Sequence, residues 1–299
     1  MRTGKELGEE RVMLKTGFIG RDNEFNRLIC SWLSQHTDLE VIVWTSAMAW
    51  SKGTALQRVR KTTRRFLQRA RKMGLPRAIN EIGFYALYGV FLLRPEQERL
   101  HEAVEECEVH PRRRLESIRQ LRPGSIKSPE LAAALKSARL DAMFSMCIDV
   151  YLPQAVRDAA RHGIFLWHEG ITPEYRGVYS PFWALVNEDY RNIGYTLLKV
   201  NDKLDAGDIY IQARALTLDP TRDWHTYIGH KAILESLPEV EIFLEQLESG
   251  RARPIARPNA VDGFYSYPTA TALLRLAFRR WKNRWLGVLP RGQPQVGIK

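Results

Sequence analysis

The stretch VMLKTGFIGRDNEFNRLICSWLSQHTDLEVIVWT (12–45) decides the fold class of this 299-residue chain. It opens with an apolar run over 12–19 that is typical of a buried strand. Apolar residues then recur at helical spacing over 25–35, and a β-branched run over 39–45 predicts a second strand. Strand, helix and strand in this order favour a right-handed parallel βαβ unit. We therefore predict an open α/β sheet that binds ligands at the carboxyl ends of its strands.

The remainder of the chain continues this alternation after one interruption. No strand pattern occurs between Lys52 and Glu108, so we interpret residues 51–110 as a helical insertion. Further strands are predicted over 141–147, 164–167, 193–200 and 208–216. Further helices are predicted over 128–138, 153–161, 182–188, 224–248 and 270–286.

Composition excludes several classes of protein. With 44% hydrophobic and 26% charged residues, the chain is globular, and neither disordered nor collagen-like. The three cysteines, Cys30, Cys107 and Cys147, lie far apart and form no CxxC pair, which argues against a disulfide framework. The longest apolar run, at 83–93, is shorter than the span of about 20 residues that crosses a membrane. The polar start of the chain is unlike a signal peptide, so we expect a cytoplasmic protein.

Positive charge is concentrated in two segments. The net charge is +11, yet residues 52–77 hold ten Lys/Arg and residues 263–299 hold seven, with no acid in either segment. The rest of the chain is mildly acidic, so no nucleic-acid partner is expected. Both segments have apolar residues among the arginines. They are candidates for contact with an anionic membrane surface or a phosphate group, and solvated helices packed on the sheet are the alternative.

One histidine stands where such a sheet holds its ligands. His168 ends the strand predicted over 164–167, and a histidine there can change protonation near neutral pH. A hydrogen-bonded loop histidine is the alternative. We predict no metal site. His225 and His230 are five residues apart on a helix and do not share a face. His101, Cys107 and His110 lie close in sequence but lack a fourth ligand.

Four segments later in the chain match one enzyme family in order and spacing. They are HEGITPEYRG (168–177), SPFWALVN (180–187), IGYT (193–196) and KLDAGDIYIQ (203–212). Together they resemble the 10-formyltetrahydrofolate-dependent formyltransferases, which include glycinamide ribonucleotide, methionyl-tRNA and sugar N-formyltransferases. The matching residues are His168, Pro173, Tyr175, Arg176, Gly177, Gly194, Thr196, Asp205 and Gly207.

The resemblance covers about 12–20 and 114–250 and implies a domain organisation. It implies an open, mostly parallel Rossmann-like sheet of the formyltransferase type over 11–215, interrupted by the helical insertion at 51–110. A helical extension and basic tail would follow over 216–299. The tail after residue 250 is too short and too helical for the all-β carboxyl-terminal domain of methionyl-tRNA formyltransferases, so RNA is not the expected acceptor.

The resemblance implies transfer of a formyl group from 10-formyltetrahydrofolate to the amine of a small molecule. Such a transfer passes through a tetrahedral intermediate, so the site must stabilise an oxyanion and move protons. By this resemblance His168 assists both tasks, and Asp205 holds the imidazole in place; a simple turn residue is the alternative for Asp205. The stretch YSYPT (265–269) resembles sugar-type members, which favours an amino sugar on a nucleotide or lipid carrier.

Two groups of binding residues follow from the same resemblance. The donor pocket would be lined by Cys147, Ile148, Val150, Leu152, Leu166, Val200 and Leu204. The acceptor would be contacted by Arg21, Asn23, Glu169, Tyr175, Arg176 and Gly177. Turn chemistry is the alternative for Arg21 and Asn23, and a solvated loop acid is the alternative for Glu169.

One position departs from the family pattern. Leu166 stands where the family has an asparagine, and a leucine cannot donate a hydrogen bond. Loss of one oxyanion donor costs about 10²–10³ in rate in other enzymes. The chain is therefore a slower or re-equipped formyltransferase, a folate- or nucleotide-binding homologue without turnover, or an acyltransferase with another donor. The aromatic helix over 83–93 and the tail offer apolar surface for a homodimer.

Overall fold

A central sheet of mostly parallel strands organises the chain, whose computed structural model describes residues 13–45, 67–146, 151–219, 222–257 and 259–286. The strands are β1 (Lys15–Arg21), β2 (Asp38–Thr45), β3 (Arg119–Leu121), β4 (Ala142–Met146), β5 (Ile164–His168), β6 (Arg176–Gly177), β7 (Gly194–Lys199), β8 (Ile209–Arg214) and β9 (Phe264–Tyr265). Seven of them form the central sheet in the order β3-β2-β1-β4-β5-β7-β8, and β6 pairs with β9.

The sheet topology confirms the predicted fold class. The pairs from β3 to β5 are parallel, whereas β7 and β8 are antiparallel to their neighbours. The carboxyl ends of β1, β4 and β5 therefore lie on one edge of the sheet. Because β7 runs the other way, its first residues meet the last residues of β5, and His168 pairs with Thr196. This edge is where an open α/β sheet binds ligands.

Nine α-helices have both ends assigned within the described residues. They are α1 (Glu24–His36), α2 (Leu75–Phe91), α3 (Leu93–Glu105), α4 (Pro129–Ser137), α5 (Gln154–Arg157), α6 (Ser180–Val186), α7 (His225–Glu235), α8 (Leu237–Glu248) and α9 (Ala270–Leu286). The prediction of α4 rested on its start signal, and Ser128 does accept a hydrogen bond from Leu131 N at 3.1 Å. The part of the predicted insertion over 67–105 is mostly helical, and residues 51–66 lie outside the described residues.

Two local predictions were wrong. The long helix predicted over 224–248 is two helices that meet at Ser236, because Pro238 lacks the N–H that a continuous helix would need there. The strands β3, β6 and β9 were missed, since segments of two or three residues are too short to show alternation. The first strand also begins later than expected, at Lys15, and runs on to Arg21.

Alternate residues of the strands enter two separate cores. Phe165 and Trp167 of β5 join the core under α1, α7 and α8, whereas Ile164 joins the core under α4 and α5. Since side chains alternate along a strand, Leu166 and His168 belong to the Ile164 side. A third core joins α2, α6, α7 and α9 through residues such as Phe84, Phe182, Ile228 and Leu273.

Candidate functional site

His168 lies at the carboxyl end of β5 with only 7% of its surface exposed. Its Nε2 is 2.9 Å from the Tyr175 carbonyl oxygen and 3.2 Å from the Ser180 hydroxyl, which also donates to that carbonyl at 2.9 Å. A carbonyl oxygen only accepts, so the hydrogen-bond network assigns the proton to Nε2. In the neutral ring Nδ1 is then the nitrogen that can accept a proton.

The loop after β5 is tied to β7 by Thr196, one of the residues that matched the family pattern. Its buried hydroxyl donates to the Gly170 carbonyl at 2.6 Å and accepts from Thr172 N at 3.2 Å. Gln212 adds bonds to the Thr172 carbonyl at 2.7 Å and to the Thr196 hydroxyl at 3.0 Å. The strand end that carries His168 is thus held from the neighbouring strands.

Asp205 does not touch His168 directly. Both residues are described, and no hydrogen bond or ion pair joins them; Asp205 Oδ2 instead accepts from Gly177 N at 2.9 Å. His168 contacts the carbonyl of Tyr175, so the two side chains hold the same short segment at positions two residues apart. The expected direct contact between Asp205 and His168 is not formed. The turn instead places the Asp205 carboxyl against the backbone of the loop at Gly177. A role for Asp205 in orienting His168 stays a prediction, in this indirect form.

The remaining matched residues of the loop have partners within the protein. The Tyr175 hydroxyl donates to Asp189 at 3.1 Å, and its ring stacks on Tyr265 with centroids 4.9 Å apart. Arg176 pairs with Asp262 at 2.6 Å and donates to the Leu204 carbonyl at 3.3 Å. These contacts give Tyr175 and Arg176 a supporting role in the loop, and acceptor binding by either stays a prediction.

A glycine is required where the loop meets β9. Gly177 has φ +98°, a conformation that side chains other than glycine rarely adopt, and a Cβ there would lie 2.1 Å from the Tyr265 carbonyl oxygen. This close approach lets β6 and β9 pair, with Arg176 opposite Phe264 and Gly177 opposite Tyr265. The YSYPT stretch is thereby attached to the loop that His168 and Asp205 hold.

Glu169 is the predicted acceptor contact with the most unusual environment. Burial raises the pKa of its carboxyl to about 7, with a smaller opposing effect of Arg21 and a small further rise from Glu96. Its carboxyl packs on α7, where a Cβ on Gly229 would lie 2.3 Å from Oε2. Within the described residues no hydrogen bond reaches this carboxyl. A poorly solvated acid therefore follows His168 directly.

The two other residues predicted in the first βα turn differ in what they contact. Asn23 is the N-cap of α1, and its side-chain oxygen accepts from Asn26 N at 2.7 Å. This is the turn chemistry that stood as the alternative, so the structure gives Asn23 a capping role. Arg21 ends β1 close enough to Glu169 and Tyr179 for its charge to act on both, and acceptor binding by Arg21 stays a prediction.

A buried carboxyl on α3 lies near Glu169. Glu96 of α3 is 3% exposed and accepts hydrogen bonds from Thr226 N at 2.8 Å, Tyr227 N at 3.1 Å and the Tyr88 hydroxyl at 2.5 Å. It therefore caps the start of α7 from a distant part of the chain. Burial raises its pKa despite these bonds. Sequence reasoning missed Glu96, because a cap supplied from 130 residues away leaves no local signal.

The first turn of α7 also carries a buried histidine. His225 lies among the rings of Tyr88, Tyr179, Phe182 and Phe84, with centroids 5.0 to 5.9 Å away. Neither ring nitrogen has a hydrogen-bond partner in the described residues, and burial lowers the pKa of His225 to about 3. This environment favours the neutral ring.

The residues predicted to line a donor pocket are apolar where they are described, and one polar side chain lies beside them. Leu166 and Val200 are partly buried, Leu204 is 45% exposed, and Leu152 is buried in the core under α4 and α5. The polar residue is Ser145, which pairs with Leu166 in the sheet and whose buried hydroxyl has no partner in the described residues. A buried hydroxyl without a partner beside Leu166 can hydrogen-bond a polar atom of a bound ligand. The predicted residues Cys147, Ile148 and Val150 lie outside the described residues.

Neither a metal site nor a membrane-spanning helix accompanies His168 in the described residues. In the described ranges, no group of three His, Cys, Asp or Glu side chains is arranged to hold a metal ion. The helices of the described segments are all too short or too polar to cross a membrane. Two surface cavities lie elsewhere, one beside Arg99 and Asp223 and the other beside Lys199 and Tyr210.

Comparison with known proteins gives one family. Residues 89–232 match the family model described as formyl transferase, a segment that begins in α2 and ends in α7. The methionyl-tRNA formyltransferase of Geobacter metallireducens is 26% identical over 128 residues, which is 41% of this chain and 40% of the relative. That of Anaeromyxobacter dehalogenans is 32% identical over 149 residues, or 49% and 46%. The chain thus matches less than half the length of these relatives.

Solved structures agree on the fold. A sugar N-formyltransferase from a Shewanella species superposes with a TM-score of 0.50 at 10% identity, covering 88% of this chain and 86% of that one. Glycinamide ribonucleotide transformylase 1 from Symbiobacterium toebii gives the same TM-score at 14% identity, covering 88% and 100%. The mixed sheet described above is therefore the formyltransferase fold.

Proposed function

We propose that this chain, whose residues 89–232 belong to the formyltransferase family, transfers a formyl group from 10-formyltetrahydrofolate to the amine of a small molecule. One observation carries the proposal. Two proton-transfer groups, His168 and Glu169, are adjacent at the carboxyl end of β5, and the Glu169 carboxyl has a pKa near 7 and no hydrogen bond from the described residues. General acids and bases work best when their pKa lies near the working pH.

The reaction requires two proton movements, and the chain has a group for each. An amine that forms a bond to the formyl carbon must lose a proton, and the carboxylate of Glu169 takes it. The nitrogen that the formyl group leaves must gain a proton, which the protonated ring of His168 gives from Nδ1. The proton on Nε2 meanwhile stays on that nitrogen and donates to the Tyr175 carbonyl, which fixes the ring. Arg21 keeps part of the Glu169 population ionised near neutral pH.

The donor would lie on the Leu166 side of His168. Leu166, Val200 and Leu204 would contact its rings, and Cys147, Ile148 and Val150 are expected to complete the pocket, with Leu152 supporting it from the core. When bound, the donor supplies an activated formyl group. The Ser145 hydroxyl lies beside the position where relatives have an amide, so we propose that it supplies hydrogen-bonding capacity there.

For the acceptor we propose an amino sugar carried on a nucleotide or a lipid. Support comes from the YSYPT stretch, which pairs with the loop after β5 through Tyr265, and whose Tyr267 ring lies 4.1 Å from the guanidinium of Arg69. An aromatic ring with a cation above it suits a planar or phosphorylated group. The relatives that match in sequence are named methionyl-tRNA formyltransferases, so the acceptor test includes methionyl-tRNA.

Mass spectrometry tests the proposal directly. The full chain is incubated with 10-formyltetrahydrofolate and a panel of amines: nucleotide-linked amino sugars, glycinamide ribonucleotide and methionyl-tRNA. We expect a gain of one formyl group on an amino sugar, abolished by His168→Ala and reduced strongly by Glu169→Gln. The exposed Glu98→Gln serves as the matched control. Unchanged transfer by both site variants would refute the assigned roles.

Leu166 favours one alternative, a folate-binding homologue that does not turn over. Calorimetric titration with tetrahydrofolate would show binding in either case, and only the absence of product would favour the alternative. Leu166→Asn separates a decayed site from a re-equipped one, since a large gain in transfer would indicate decay. We expect the new amide to be tolerated, because the unpartnered hydroxyl of Ser145 lies beside it in the sheet.

A further inference from the structure

Helix α9 has a buried side and an unusually apolar exposed side. Ala272, Leu273 and Leu276 are buried in the third core, which α9 shares with α2 and α6. The opposite side exposes Leu274 (57%), Phe278 (60%), Trp281 (60%) and Trp285 (79%). Their spacings of four, three and four residues place them on one stripe.

The three aromatic residues of this stripe form a continuous row. The ring centroids of Phe278 and Trp281 are 5.7 Å apart, and those of Trp281 and Trp285 are 6.5 Å apart. Single exposed apolar side chains are ordinary, but a contiguous row of large ones marks a binding surface. Tryptophan in particular prefers the boundary between water and lipid.

Helix α2 adds apolar surface beside α9. Asn80 and Thr271 join the two helices by hydrogen bonds at 2.9 and 3.0 Å. Leu75, Ile79 and Ile82 of α2 are 54%, 56% and 48% exposed. The described residues thus leave these three side chains of α2 uncovered, while Ala78, Glu81 and Phe84 of the same helix are buried. We call the exposed sides of α2 and α9 the apolar face.

The charges around the apolar face select its partner. Residues 263–299 and 52–77 contain no acidic residue. Arg71, Lys72, Arg275, Lys282 and Arg284 are exposed, and none has an ion pair within the described residues. A second copy of the chain would bring an equally cationic surface against this one, which like-charge repulsion opposes. An anionic surface complements it, and a row of Trp and Phe beside lysine and arginine is typical of helices that lie on lipid.

We propose that the apolar face docks on an anionic membrane surface. The stripe of α9 would enter the headgroup region while its lysine and arginine side chains contact lipid phosphates. This proposal is independent of formyl transfer, because it concerns a surface formed by α2 and α9 and not the site at His168.

Vesicle flotation with the full chain tests this proposal. We expect binding to vesicles in which roughly a third of the lipid is phosphatidylglycerol, weaker binding as salt rises, and at least tenfold weaker binding to pure phosphatidylcholine. The double variant Trp281→Ser/Trp285→Ser should lose at least tenfold in affinity. Leu216→Ser, which alters an 82% exposed leucine outside this surface, is the matched control and should bind as the parent does.

The remaining outcomes overturn the proposal. They are an absence of binding to anionic vesicles, or equal binding by the double variant. Sedimentation without lipid that shows a dimer dissolved by Trp281→Ser would assign the face to a second copy. A charge variant, Arg275→Glu/Lys282→Glu/Arg284→Glu, keeps the test valid if the tryptophan variant misfolds. Folding is checked by thermal melting, and none of these measurements requires transfer activity.

Discussion

The loop after β5 and the helix pair α2–α3 meet beside the same strand end, but they hold it in different ways. The loop is held by nearby groups whose identities are visible in sequence, such as Thr196 and Gly177. The helices act through Glu96, which caps α7 and so fixes the surface on which Glu169 packs. A short motif therefore encodes the loop, whereas long-range contacts encode the environment of Glu169.

Among variants that test this comparison, the largest expected effect is at Glu169, where the two regions meet. If its carboxylate is the base, Glu169→Gln should lower kcat/KM for the amine by about 10²–10⁴. In the parent, kcat/KM should rise with pH through about 7, as the carboxyl ionises, and the variant should lose this rise. Initial rates at several pH values measure both. A variant that keeps the parent profile would remove Glu169 from the chemistry.

The same substitution has an opposite effect on stability. The pKa of Glu169 is raised by folding, so the native state holds its proton to higher pH than the unfolded chain. Stability from this group is therefore present at low pH and is lost as pH rises through about 7. Glu169→Gln should then stabilise the protein by about 1–2 kcal/mol at pH 8 and have little effect near pH 4. Denaturant titrations at both pH values check the sign.

Gly177→Ala should destabilise the loop after β5 without changing the contacts of α2 and α3. The positive φ costs about 1–2 kcal/mol for alanine, and the new Cβ would meet the Tyr265 carbonyl, so we expect a total loss of about 2–4 kcal/mol. Gly250→Ala has the matching positive φ but no atom within 4 Å, and should cost only the conformational part. Chemical unfolding of the two variants separates strain from the clash.

Glu96→Gln tests the helix side. Gln keeps an acceptor for the N–H groups of α7 but loses the charge that favours a helix start, so we expect a loss of about 1 kcal/mol. Glu96→Ala leaves those groups unpaired and should cost about 2–3 kcal/mol. Glu98→Gln, on the exposed side of the same helix, should change stability by less than about 0.5 kcal/mol. Equal melting temperatures for all three would show that the cap contributes nothing.

The smallest expected effects come from alanine at two helix glycines, Gly89 and Gly229. Alanine at Gly89, an exposed position of α2 with no atom within 4 Å, should stabilise the protein by up to about 1 kcal/mol through helix propensity. Gly229→Ala in α7 has the same propensity gain, but its Cβ would displace the Glu169 carboxyl. We therefore expect little net change in stability and a higher KM for the amine. An unchanged KM would show that Glu169 does not contact the acceptor.

Much of this organisation could be predicted from the sequence, and the limits have physical causes. The parallel sheet, the position of His168 and the helices α1, α4 and α9 follow from periodicity and start signals that act over a few residues. The break at Ser236 was missed although Pro238 signals it. The partner of Asp205 and the cap at Glu96 could not be found, because side-chain contacts across 28 and 130 residues depend on packing and not on pattern.

Helix α2 separates two very different environments across its own width. Its inner residues Phe84 and Tyr88 border the buried groups next to Glu169, and its outer residues are the ones we assign to lipid. A helix is about 10 Å thick, so the Glu169 carboxyl would lie close to a substrate that is anchored in the bilayer. Encounter would then become a search in two dimensions, and turnover would depend on the surface density of the substrate rather than on its bulk concentration.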